Sequence, residues 1–139
     1  MPSIRYQRLA SELLPLANKF YKSQRSPMRV GRSEQVWVAQ QAGIIAACCL
    51  KPVADGHWLT ALLVAREQRQ QGIASQLLNA LRAHSQGPIW LFCAPELLSF
   101  YQRLGFAPCP ALPAELTERL LRYQRKQPLL ALAAAQQCG

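Results

Sequence analysis

Leu62-Leu63-Val64-Ala65-Arg66-Glu67-Gln68-Arg69-Gln70-Gln71-Gly72-Ile73-Ala74-Ser75 passes from an apolar run through a polar turn directly into an amphipathic pattern. After Gly72 the residues Ile73, Leu77, Leu78 and Leu81 recur at helical spacing, and the pattern stops near Gly87-Pro88. His57 to Ala65 reads as the strand before this helix, and the continuous apolar run Pro88 to Cys93 as the strand after it. A strand, a helix and a strand of this length supply the crossover that a parallel pair needs. A helix start exposes unpaired backbone N–H groups and the positive end of the helix dipole. With Gly72 and the small Ala74 there, a pyrophosphate could approach the main chain closely, flanked by Arg66 and Arg69. Glycine at a helix start is ordinary by itself, so the turn alone does not decide the reading.

Working outward, residues 3 to 9 suggest a short first strand. Leu13, Leu14, Leu16, Ala17, Phe20 and Tyr21 then form a helical stripe. Pro15 is tolerable only near a helix start, which places that start at residues 11 to 15 and the end in the polar, basic stretch Lys22 to Arg32. Gln35 to Gln40, Gly43 to Leu50 and His57 to Ala65 are β-rich runs. The turn-like Gln41-Ala42 and the stretch Lys51 to Gly56 separate them, so three antiparallel strands follow one another. Pro95 and Glu96 open a short helix that Gly105 ends, and a strand is expected at Phe106 to Cys109. A last helix over Pro113 to Arg125 and a strand over Leu129 to Ala134 complete the order, and the final Ala-Ala-Ala-Gln-Gln-Cys-Gly reads as frayed. The expected class is α/β: a mixed central sheet flanked by helices, antiparallel in its first half and parallel between strands 4 and 5. With 139 residues, half of them apolar, the chain is expected to form one domain spanning 1–139.

The five cysteines at 48, 49, 93, 109 and 138 are odd in number and lack a CxxC spacing, and the two histidines are far apart in sequence. Neither a disulfide framework nor a metal site is indicated. No stretch approaches the length of a membrane span, the N-terminus has no apolar signal region, and Cys138 is misplaced for prenylation, so a cytoplasmic protein without membrane association is expected. Twelve arginines and four lysines against seven acids give a net charge of +9, which favours an anionic partner. Guanidinium groups suit phosphate through bidentate pairing. No run of basic residues is interleaved with aromatics, so a nucleic-acid partner is not expected.

The string Arg69-Gln70-Gln71-Gly72-Ile73-Ala74 resembles motif A of the GNAT N-acetyltransferase superfamily, Arg/Gln-x-x-Gly-x-Gly/Ala. Phe100-Tyr101-Gln102-Arg103-Leu104-Gly105-Phe106 resembles that superfamily's other common signature, a helix ending in Phe-Tyr-x-x-Leu-Gly-Phe. The resemblance covers residues 35 to 107. It implies acetyl-CoA as cosubstrate, with no metal, and direct transfer of the acetyl group to a primary amine in a ternary complex. Leu62, Leu63 and Val64 would pair their backbone with the pantetheine arm, and a backbone N–H near Leu63 would stabilise the developing oxyanion. The motif opens at Arg69, and Gln70, Gln71, Gly72, Ile73, Ala74 and Ser75 would hold the pyrophosphate through main-chain amides. Tyr101 would be the general acid that protonates the departing thiolate, since a phenol has a proton to give at neutral pH.

Two positions depart from the family pattern: Ala94 stands where many relatives have an asparagine, and Gln70 where glycine is frequent. The general base is open, with His57, Glu34 and a water chain as candidates. Cys93 reads as a core thiol and not as a nucleophile. The acceptor, a small molecule or a protein, would sit between the basic segments Lys22 to Arg32 and Pro108 to Pro128. If those segments bind it through Lys22, Arg25, Arg29, Arg32, Arg119, Arg122, Arg125 and Lys126, it carries a carboxylate or phosphate besides its amine. The chain would act as a monomer or a homodimer. An alternative is a non-catalytic GNAT-like module that senses acetyl-CoA and regulates a partner protein.

Overall fold

The computed structural model describes residues 3–134. The chain forms two compact units: one of residues 3–51 with Leu59–Ser85, the other of Pro52–Trp58 with residues 86–134.

The first unit contains strand β1 (Arg5–Arg8), helix α1 (Leu14–Ser23), β2 (Gln35–Gln40), most of β3 (Ile44–Val53), the last six residues of β4 (Gly56–Val64) and helix α2 (Ile73–His84). β1 and β2 are antiparallel, with Tyr6 opposite Ala39, and β2 and β3 are antiparallel, with Val36 opposite Cys49. β3 hydrogen-bonds to β4, and the Ala65 amide donates to the Ile45 carbonyl at 2.7 Å. Alternation assigns the two faces. Val36, Val38, Ala47 and Cys49 share one core with Ala17, Phe20 and Tyr21 of α1. Trp37 points the other way, its ring 5.7 Å from that of His84 at the end of α2. The stripe Ile73, Leu77, Leu78 and Leu81 is buried as the periodicity predicts. Each such side chain contributes roughly 1.5–3 kcal/mol, far more than the tenths of a kcal/mol that separate helix propensities, so packing decides that α2 forms.

The second unit contains the end of β3, the start of β4, β5 (Ile89–Cys93), α3 (Leu98–Arg103), β6 (Ala107–Pro108), α4 (Ala114–Gln124) and β7 (Leu130–Ala134). β4 and β5 pair in parallel, His57 opposite Ile89 and Trp58 opposite Trp90. β5 pairs antiparallel with β7, and β7 antiparallel with β6. Val53, Trp58, Trp90 and Leu116 form the core here, with Phe92, Cys109, Leu112 and Ala133 packed against it. The mixed sheet is therefore antiparallel through β1, β2 and β3 and parallel from β4 to β5, with helices on it, as the sequence indicated.

Two expectations need correction. The turn read over Lys51 to Gly56 is only Ala54-Asp55, because Val53 stays extended to reach the second core and Ala54 takes a φ of 50° to reverse the chain. Ala133 and Ala134, read from the sequence as the start of a frayed tail, lie in β7 opposite Trp90 and Ile89. The remainder of that tail, residues 135–139, lies outside the described residues. Among the described residues, no helix is long and apolar enough to cross a membrane.

Candidate active site

The junction of β4 and α2 is built by local hydrogen bonds. After Ala65, a single 3₁₀ turn over Arg66–Gln68 is closed by the Gln68 amide donating to the Ala65 carbonyl at 2.8 Å. The Arg66 amide donates to Gln24 Oε1 at 3.0 Å, which ties the turn to the end of α1. Arg69 Nε donates to the Val64 carbonyl at 3.1 Å, so one donor of this guanidinium is engaged and its charge is held beside the end of β4. Gln70 (φ 64°) and Gly72 (φ 76°) both occupy the left-handed region, and α2 begins at Ile73 with Gly72 as its N-cap. The first amides of α2 thus open the helix under its positive dipole end. Among the described residues, a Cβ placed on Gly72 would meet nothing within 4 Å beyond its chain neighbours, so the space above this turn is open. Gln70, Gln71 and Gly72 are exposed, Ala74 and Ser75 are half-buried, and Ile73 is buried as the anchor of the helix. An open cradle of main-chain donors beside two exposed arginines, Arg66 and Arg69, fits a pyrophosphate.

Leu62, Leu63 and Val64, the last three residues of β4, are half-buried. Just before them Ala61 has φ 58°, a left-handed alanine inside a strand. That conformation costs roughly 1–2 kcal/mol for a residue with a Cβ and marks a bulge that re-aims the residues after it. Tyr21 of α1, fully buried, donates its hydroxyl to the Ala61 carbonyl at 2.7 Å and lies 3.8 Å from Cys49 Sγ. Burial first, and then Cys49, raises the Tyr21 hydroxyl far above the usual phenol range, so it stays a donor. Sequence periodicity marked Tyr21 only as an apolar stripe position. The available signal was that a buried tyrosine hydroxyl requires a partner.

Tyr101 lies in α3 of the second unit and is 9% exposed, its ring edge-on to Phe100 (5.0 Å) and Phe106 (5.9 Å). The motif Tyr-x-x-Leu-Gly-Phe folds as a Schellman cap: the Phe106 amide donates to the Tyr101 carbonyl at 3.1 Å, and the Gly105 amide to the Gln102 carbonyl at 3.1 Å. Tyr101 is thereby fixed by its own helix terminus.

Of the two base candidates, Glu34 belongs to the first unit, where its carboxylate accepts the Gly31 amide. His57 is the second residue of β4, at the opposite end of the strand from Leu62–Val64. Among the described residues its buried Nδ1 has no hydrogen-bond partner, and desolvation lowers its pKa. Cys93 is 4% exposed, and burial, then Glu96, raises its thiol pKa, in keeping with a core role. Burial also pushes the Cys49 thiol up to about 12.

The basic segments divide. Arg25 and Arg66 line a polar pocket of about 250 Å³ with Ser23, Gln24 and Glu67. Arg119, by contrast, stacks over Trp58 at 4.8 Å and lies 3.9 Å from Glu115. Both contacts lie within the second unit.

The solved structures that resemble this chain include that of Tetrahymena GCN5, with a TM-score of 0.71 at 12% identity, covering 96% of each chain. The ribosomal-protein-S18-alanine N-acetyltransferase of Escherichia coli gives 0.66 at 16% identity, covering 99% of this chain and 96% of that one. The N-acetylglutamate synthase of Neisseria gonorrhoeae, in complex with coenzyme A and N-acetyl-glutamate, gives 0.65 at 15% identity, covering 99% of this chain and 35% of that one. At such identities the likeness concerns the fold. A search of curated proteins finds no match. The family model described as an acetyltransferase (GNAT) domain matches residues 32–108, more than half of the sequence. The chain belongs to the GNAT acetyltransferase family, whose members transfer acyl groups from acetyl-CoA.

Proposed function

We propose that this protein is an N-acetyltransferase that passes the acetyl group of acetyl-CoA directly to a primary amine, with residues 1–139 acting as one catalytic domain. The observation that carries this reading is the turn before α2, where Gln70 and Gly72 are left-handed and the space over Gly72 is open. The amides of Gln70 to Ser75 hold the pyrophosphate, supplemented by the charge of Arg69. The backbone of Leu62, Leu63 and Val64 holds the pantetheine, and the N–H near Leu63 donates to the oxygen on which negative charge develops. Bound acetyl-CoA supplies the thioester carbonyl that the amine attacks and the thiolate that leaves. Tyr101 donates its phenolic proton to that sulfur. The amine loses its proton to Glu34, to His57 or to water.

The acceptor in this reading carries an anionic group besides its amine, met by Arg25 and Arg29 on the exposed segment after α1. The pocket that Arg25 shares with Arg66 supports this, as does the acidic product bound by the N-acetylglutamate synthase of similar fold. A second reading, an acetyl-CoA sensor without turnover, is favoured by Ala94 and by the engagement of the Glu34 carboxylate with Gly31.

Thiol release from acetyl-CoA, followed with a panel of amines, separates the two readings. The enzyme reading expects turnover that rises with one acceptor class and a kcat for Tyr101→Phe lower by roughly 10²- to 10⁴-fold at unchanged acetyl-CoA affinity. Equal activity of Tyr101→Phe removes this tyrosine from the chemistry. Tight acetyl-CoA binding with no turnover on any amine supports the sensor.

A further inference from the structure

We infer that Tyr21 is a positioning residue for the cofactor segment: its hydroxyl, bound to the Ala61 carbonyl, holds the β4 bulge that sets the direction of Leu62, Leu63 and Val64. This inference rests on the proposed binding of acetyl-CoA along that segment. Alanine avoids positive φ, and nothing in the local sequence, neither glycine nor asparagine nor aspartate, favours φ 58° there. The bulge must be imposed from outside the strand. On one flank, the Ala65 amide fixes the end of β4 to the Ile45 carbonyl. On the other, the Tyr21 hydroxyl reaches in from α1, 2.7 Å from the Ala61 oxygen.

Tyr21 itself is well placed to act as a fixed strut. Its side chain is fully buried among Ala17, Phe20, Val36, Val38, Ala47 and Cys49, and its ring lies 5.8 Å from that of Phe20. Its own carbonyl accepts the Ser26 amide at 3.0 Å in the cap that ends α1, so the residue is pinned at both main chain and side chain. Phenylalanine would fill the same volume and leave the Ala61 carbonyl without this donor. The bulge would then relax toward regular strand, and the peptide groups of Leu62 to Val64 would turn away from the direction they now present.

Three variants and two readouts test this in the full chain. Tyr21→Phe should speed hydrogen exchange at the amides of Leu62 and Leu63 without any ligand and weaken coenzyme A binding, measured by calorimetry, roughly 10-fold. Tyr21→Phe with Ala61→Gly should recover affinity to within about threefold of wild type, because glycine takes the left-handed conformation without being held there. If Tyr21→Phe fails to fold, Ala61→Val provides the same reading with the hydroxyl intact. A β-branched residue refuses positive φ, so coenzyme A affinity should fall by a similar factor. A rescue by glycine is not expected from a role in stability alone, since that substitution returns no packing. Unchanged coenzyme A affinity in folded Tyr21→Phe, or a loss that Ala61→Gly does not reverse, overturns the inference. Absence of coenzyme A binding by the wild type would sink the proposed function instead, and unaltered exchange at Leu62 and Leu63 would then still disprove the strut.

Discussion

Gly72, before α2, and Gly87, before β5, are both left-handed, with φ of 76° and 78°, yet their surroundings are opposite. A Cβ on Gly87 would collide with the carbonyl of Asp55, whereas on Gly72 it would meet nothing within 4 Å. At Gly87 the chain itself requires glycine: the close approach of Asp55 and Gly87 accompanies the amide of His57 donating to Pro88 and the parallel start of β4 and β5. At Gly72 only the backbone conformation requires it, and the space a side chain would take is left open. One glycine closes the fold and the other borders open space.

The largest effect expected from this contrast is on binding. Gly72→Glu places bulk and negative charge in the open space, so acetyl-CoA affinity should fall by about 10²- to 10³-fold while the protein still folds. Calorimetry on a folded variant with wild-type affinity would break the assignment of the turn. Next in size, Gly87→Ala combines positive φ with a backbone collision and should cost about 3 kcal/mol of stability in denaturant unfolding. Coenzyme A affinity of the remaining folded protein should be preserved. Gly72→Ala carries only the strain of a left-handed alanine, about 1 kcal/mol. If its loss of stability matched that of Gly87→Ala, the contrast between the two corners would not hold.

The smallest effect belongs to His57. Its folded pKa lies below the ordinary 6.5 because burial penalises the charged form. The unfolded chain therefore binds the proton more readily, and stability should decline as pH falls below about 6.5 toward the folded pKa, with the full contribution present above it. His57→Gln should flatten that limb of the stability profile. An unaltered limb would assign it to other groups.

Much of this contrast was legible in the sequence, and for identifiable reasons. Gly72 stands out because the helical stripe Ile73, Leu77, Leu78 and Leu81 starts immediately after it, and those four side chains are buried. The Schellman cap at Gly105 was readable because glycine at that position has a single strong conformational use. The bulge at Ala61 was not readable, since alanine carries no left-handed preference and the hydroxyl that meets it comes from a helix forty residues away in sequence. The stacking of Arg119 on Trp58 was not readable either, because the two are likewise distant in sequence. The Lys51-Pro52 pair looked like a turn because local composition outweighs, in a reading of sequence alone, the burial that keeps Val53 extended.

The claim that Leu62 to Ser75 is the acetyl-CoA site is tested most directly by titrating the wild-type protein with coenzyme A while following its backbone amide resonances. The account predicts saturable shifts concentrated at Leu62–Val64 and Gln70–Ser75. Saturable binding that leaves those amides unmoved and shifts residues of α4 or β7 instead would contradict it.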